Sequence, residues 1–229
     1  AKLNHAHMDA GSFVLDANGV RWAIDLGSHN YHKLESQGLK IWKRTQDSER
    51  WDVFRYHAAS HNTLMVNEKA HLVDEFVRII DSQSTKKMKG TKVDMAAIFG
   101  GQLTQAERSI GILDNSVVVI KDDIENSDEE ATIRWAIMTW DNIEIDKNQA
   151  TITKDGQSMQ VKILSPQDAT FQTYSAQPDN DFEDRNPGKL MLGFETELAA
   201  EEKQQLIVQF VAEGKDEASK KVMKEFLEW

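Results

Sequence analysis

The chain has 229 residues, 40% hydrophobic and 28% charged, which is enough apolar material for a real core and excludes global disorder. A formal net charge of -11 argues against non-specific binding to nucleic acid or to anionic membranes. The absence of cysteine removes disulfides and thiolate chemistry, and no apolar run approaches transmembrane length.

In chain order, the first readable element is a hairpin. "GSFVLDANGVRWAID" alternates apolar and polar residues on both sides of Ala17-Asn18-Gly19, and Asn-Gly between alternating runs is a strong two-residue turn signal. The second arm places Val20, Trp22 and Ile24 on one face, with Arg21, Ala23 and Asp25 on the other. Residues 31–45 are polar with scattered apolar positions and read as a loop with a helical turn. Strand patterns then recur at 62–67, 75–81, 93–100, 105–113, 115–124, 132–140, 150–155, 158–165, 189–196 and 204–213. Turn residues separate several of them, including Asp114-Asn115, Asn126-Ser127-Asp128 and Asp155-Gly156. Residues 175–189 read as a long acidic loop. The tail, residues 216–229, sets Ala218, Val222, Met223, Phe226 and Leu227 on one stripe, the pattern of an amphipathic helix. Many strands with polar turns and one terminal helix predict an all-β fold. It is a large, supersandwich-like antiparallel β-sandwich forming one domain over 1–229, with a short C-terminal helix.

All seven histidines lie between His5 and His71. His5 and His7 are two apart, so on extended chain both imidazoles point the same way, toward one ligand or toward solvent. The hairpin brings Asp25 opposite the start of its first arm, near Asp9 and His7. His61 enters the strand at 62–67. His7, Asp25 and His61 are residue types that a divalent metal such as zinc takes as ligands, and each alone also reads as an ordinary turn or strand residue. Tyr31, Trp42, Lys43, Arg44, Arg50, Trp51, Arg55 and Tyr56 fill the same third of the chain. Sugars stack on aromatic rings and acidic sugars pair with arginine. The competing reading is a solvated loop over core aromatics. The neighbours Asp122-Asp123 and Glu129-Glu130 point to opposite faces of a strand and read as strand-end solvation.

The ordered set H-x-H-x-D-x-G-S-F at 5–13, G-x-x-W-x-x-D-x-G at 19–27 and H-N-T-L at 61–64 resembles the heparinase II/III-like polysaccharide lyases. The resemblance covers about residues 4–67 and implies a β-sandwich that follows an N-terminal (α/α) toroid. On that reading this chain is a C-terminal fragment lacking its toroid partner. It also implies cleavage of an acidic, uronate-containing polysaccharide by β-elimination, with His5 at the catalytic histidine position and His7, Asp25 and His61 at zinc-ligand positions. Tyr31 is a looser match to a catalytic-site tyrosine, and Arg50 and Arg55 are candidate substrate-binding residues. Export to the periplasm or secretion is implied by the family alone, and a homodimer stays open. The isolated fragment is expected to be inactive, because further site residues belong to the toroid. A non-catalytic carbohydrate-binding sandwich and a metal-stabilised structural sandwich remain as alternatives.

Overall fold

The computed structural model describes residues 5–229. Fourteen strands and two α-helices are present among them: β1 (Leu15–Ala17), β2 (Val20–Ala23), α1 (Tyr31–Ser36), β3 (Leu64–Val66), β4 (Arg78–Ser84), β5 (Met88–Asp94), β6 (Leu103–Leu113), β7 (Val117–Asn126), β8 (Ala131–Trp140), β9 (Ile143–Asp146), β10 (Gln149–Lys154), β11 (Gln157–Ser165), β12 (Gln172–Ser175), β13 (Lys189–Leu198), β14 (Lys203–Ala212) and α2 (Lys220–Glu228). Eight strands form one antiparallel sheet in the order β4-β5-β6-β7-β14-β11-β10-β9, and four form a second in the order β12-β13-β8-β3. The hairpin β1-β2 stands apart from both.

The main core fills the space between the two large sheets. Ile120, Ile124, Leu206, Val208 and Phe210 from the eight-stranded sheet meet Ile133, Trp135, Ile137, Leu192 and Phe194 from the four-stranded one. Trp135 and Phe194 stack at 5.8 Å between ring centres, and Phe13 from the N-terminal segment meets Phe210 edge-on at 6.4 Å. The first stack lies across the β8-β13 ladder, and Trp135 also meets Phe210 of the opposite sheet at 6.4 Å, so these rings tie the two sheets together.

The Asn-Gly turn forms as read: Asn18 and Gly19 both take left-handed backbone, the geometry that matches the twist of the flanking strands. Ala17 pairs with Val20 and Asp16 with Arg21, after which a bulge shifts Leu15 to Ala23. The run at 93–100 departs from its strand pattern. It leaves β5 at Asp94 and turns through a short helical stretch at Ala96–Phe99, where Asp94 accepts from the Ala96 N–H and buried Ile98 and Phe99 fill the core. Alternating apolar residues could not distinguish the two outcomes there. The short strands β9 and β12 carried no readable pattern because both are largely exposed.

The outer face of the eight-stranded sheet is closed by α2. Val222 and Phe226 are buried against Leu113, Val117 and Val119, with Ala218, Met223 and Leu227 packed at the margin, the stripe expected from the sequence. Gly111 in β6 makes this approach possible, since a Cβ there would lie 2.4 Å from Phe226 Cε2. Gly111→Ala should therefore push the helix off the sheet and destabilise the fold by about 1–3 kcal/mol, measured by urea denaturation. An unchanged midpoint would mean that α2 is not seated on this strand.

Candidate functional site

Met8 and the loops at 26–62 enclose a small core of their own against Met65 of β3, while the hairpin buries Leu15, Val20 and Trp22 in the main core. Met8, Leu34, Ile41, Val53, Tyr56 and Ala58 are among the buried members of the small core. Three short helical turns, Glu49–Asp52, Phe54–Tyr56 and Ala58–Ser60, carry the chain along it. Ser48 and His57 cap two of them by accepting from Arg50 N and Ala59 N.

One buried ion pair anchors the assembly. Arg108 in β6 and Asp122 in β7 are both 1% exposed and meet in a bidentate contact at 2.7 and 3.0 Å. The remaining Arg108 nitrogen, Nη1, donates to the carbonyls of Gly11 and Asn62, both at 2.9 Å. Asn62 continues the chain of contacts. Its amide donates to Phe13 O and Ile24 O, and its Oδ1 accepts from Met138 N. Asp122 therefore does not belong to a solvated strand end, as the sequence suggested. It sits in the middle of β7 with its charge fully compensated. The sequence held no local signal for the pair, because the two residues are fourteen positions apart and meet only across the β6-β7 ladder.

His61, next to Asn62, is buried and faces Asp25, with Nδ1 2.8 Å from Oδ2. The other carboxylate oxygen of Asp25 accepts from Gly27 N at 2.7 Å. The His61 hydrogen bond is the main reason that the Asp25 pKa falls to about 2, so the group is ionised at neutral pH. His7 lies beside His61 at 5.3 Å between ring centres. Burial, assisted by nearby His61, lowers the His7 pKa to about 4 and leaves the ring neutral at pH 7. His61 Nε2 is buried with no hydrogen-bond partner among the described residues. The three residues expected as ligands are thus brought together, with the neutral imidazole and ionised carboxylate that a divalent cation requires. Their atoms do not converge: among the described residues no group of three His, Asp or Glu is arranged to hold a metal ion.

His5 lies on the open side of this cluster. Its Nδ1 is 3.1 Å from the hydroxyl of Tyr31, the first residue of α1. Asn30 caps that helix by accepting from Lys33 N. Trp42, 41% exposed, packs against both rings at 5.6 Å from His5 and 5.1 Å from Tyr31. Tyr56 lies beneath, 4.7 Å from His7. Trp42 is the member of the aromatic cluster with an open face, and its place at the site was not legible from spacing alone.

The two arginines occupy different positions. Arg50 is buried under the rings. Arg55 is half-buried and holds the acidic loop, donating to Asn186 Oδ1 at 2.7 Å and to Leu26 O. That loop is a strut. Buried Glu183 accepts from Phe54 N, Asp184 N donates to His29 Nε2, and the Asp184 carboxylate pairs with Lys33 on α1. The loop thereby steadies the helix that carries Tyr31.

Residues 2–222 match the family model described as heparinase II/III-like, C-terminal. The chain belongs to this family. Its fold is similar to that of a mutant of the heparan sulfate lyase HepC from Pedobacter heparinus, with a TM-score of 0.70 at 15% identity over 93% of this chain and 32% of that one. The unmutated enzyme gives 0.68 at 13% identity, over 93% and 32%. A heparinase III structure gives 0.67 at 13% identity, over 90% and 30%. At these identities the likeness is one of fold, an antiparallel β-sandwich. The chain spans about a third of the length of these lyases. No curated protein matches the chain by sequence. No helix among the described residues is long and apolar enough to cross a membrane.

Proposed function

We propose that this chain is the β-sandwich part of a lyase that cleaves uronate-containing glycans of the heparin or heparan sulfate type by β-elimination. The observation that carries the reading is the exposed His5–Tyr31 pair, a 3.1 Å contact between two groups able to exchange a proton, with the open Trp42 ring beside it. β-Elimination needs a base for the C5 proton of the uronate, an acid for the departing glycosidic oxygen, and compensation of the uronate carboxylate. His5 takes or delivers the proton through its imidazole, whose Nδ1 edge Tyr31 holds. Trp42 offers its face to a pyranose ring. The residues that compensate the carboxylate belong to a further N-terminal domain in this reading, so the 229-residue chain alone is nearly inactive. The working location is the periplasm or outside the cell.

His7, Asp25 and His61 would hold a divalent cation such as zinc, which would supply positive charge that pins the segment bearing His5. The donor chemistry and the orphaned His61 Nε2 support this. The existing His61–Asp25 bond favours a second reading, in which the three residues form a hydrogen-bonded strut without metal.

In the full-length chain, His5→Ala should lower kcat for release of unsaturated uronate from heparan sulfate by at least about a hundredfold. It should leave the fold intact by circular dichroism. Turnover at the parent rate would remove His5 from the chemistry. For the metal, elemental analysis should find one zinc per chain. Chelation should lower the melting temperature, and His7→Ala and Asp25→Ala should each abolish both effects. A metal-free protein whose melting temperature ignores chelator and added zinc would establish the strut.

A further inference from the structure

Arg50 has an environment unlike that of a surface arginine or a paired buried one. It lies in the turn Glu49–Asp52 and is 1% exposed. Its Nε donates to the carbonyl of Ala6 at 2.9 Å, and Ala6 is the residue between His5 and His7. Its guanidinium carbon is 4.1 Å from the centre of the Tyr56 ring, 5.6 Å from that of Tyr31 and 5.8 Å from that of Trp51. Tyr56 in turn packs on His7, and Tyr31 bonds to His5. The guanidinium is thus in contact with the backbone between the histidines and with the aromatic partner of each.

Both terminal nitrogens, Nη1 and Nη2, are buried without a hydrogen-bond partner among the described residues. Leaving a buried cation so poorly satisfied is costly, whereas every nitrogen of the Arg108 guanidinium in the same protein has an acceptor on Asp122 or a carbonyl. Aromatic faces recover part of the cost through their quadrupoles, and a planar guanidinium stacks on them where an ammonium does not.

We propose that Arg50 is the positioning residue of the His5–Tyr31 pair: it fixes the chain between the two histidines and keeps a positive charge, unpaired among the described residues, behind the rings. The catalytic consequence rests on the lyase reading above. Negative charge builds on the uronate and on the departing oxygen during β-elimination, and a fixed cation in a water-poor setting favours that build-up. Arg50 touches no substrate in this account and acts through Ala6, Tyr31 and Tyr56.

The test has two arms. In the 229-residue chain, nuclear Overhauser contacts between the His5 and Tyr31 rings read the positioning directly. Arg50→Met should abolish them, and Arg50→Lys, which keeps charge without the planar fork, should weaken them. In the full-length chain, Arg50→Met should lower kcat for uronate elimination by about tenfold or more, with KM within about threefold of the parent. Arg50→Lys should recover part of that loss. Parent contacts and parent kcat in a folded Arg50→Met protein would overturn the proposal, as would a raised KM at unchanged kcat. Should Arg50→Met fail to fold, Arg50→Lys decides: weakened contacts uphold the proposal and parent values in both arms reject it. Lost ring contacts in a protein whose parent shows no elimination would uphold the positioning and reject the lyase reading.

Discussion

The bidentate contact between Arg108 and Asp122 is the constraint on which the site's geometry rests. Two charges are removed from water in the middle of an eight-stranded sheet, which is tolerable only because every guanidinium nitrogen and both carboxylate oxygens find a partner. The guanidinium spends its spare nitrogen on Gly11 and Asn62, and so ties a long N-terminal segment and a loop to the sheet's interior. Asn62 extends the tie to Phe13, Ile24 and Met138. Without such a polar tether, segments that lack ladder partners of their own would have only loose apolar contacts to orient them.

From that anchor the site acquires two levels. The inner level gathers His61, Asp25 and His7, where the His61 hydrogen bond keeps the Asp25 carboxylate ionised and burial keeps the His7 ring neutral at pH 7. The outer level, His5, Tyr31 and Trp42, lies on the solvent side. Aromatic rings and Arg50 fill the space between them, so a shift in one level passes to the other by packing.

Much of this was legible in the sequence, for identifiable reasons. Alternation gave the long strands, Asn18-Gly19 gave the hairpin, and the stripe from Ala218 to Leu227 gave the terminal helix. The ordered histidine motifs singled out residues that the fold does bring together: His5 with Tyr31, and His7 with Asp25 and His61. What stayed hidden depends on long-range pairing. Asp122 looked like solvation because its partner is across a ladder. Residues 93–100 looked like a strand because Ile98 and Phe99 are buried from a helical turn. The acidic loop gave no sign of clamping α1, since Asp184 meets Lys33, and Glu183 meets Phe54 N, only in three dimensions.

The dependence of the site on the buried pair can be measured by hydrogen–deuterium exchange in an Arg108→Met/Asp122→Leu double variant. Replacing both charges with apolar groups leaves global stability within a few kcal/mol, about the range seen when buried ion pairs are exchanged for hydrophobic residues. The account predicts faster exchange at residues 8–13 and 61–64, which lose their carbonyl tethers, while β8 and β13 keep parent protection. Parent-like protection at 8–13 and 61–64 in that variant would contradict it.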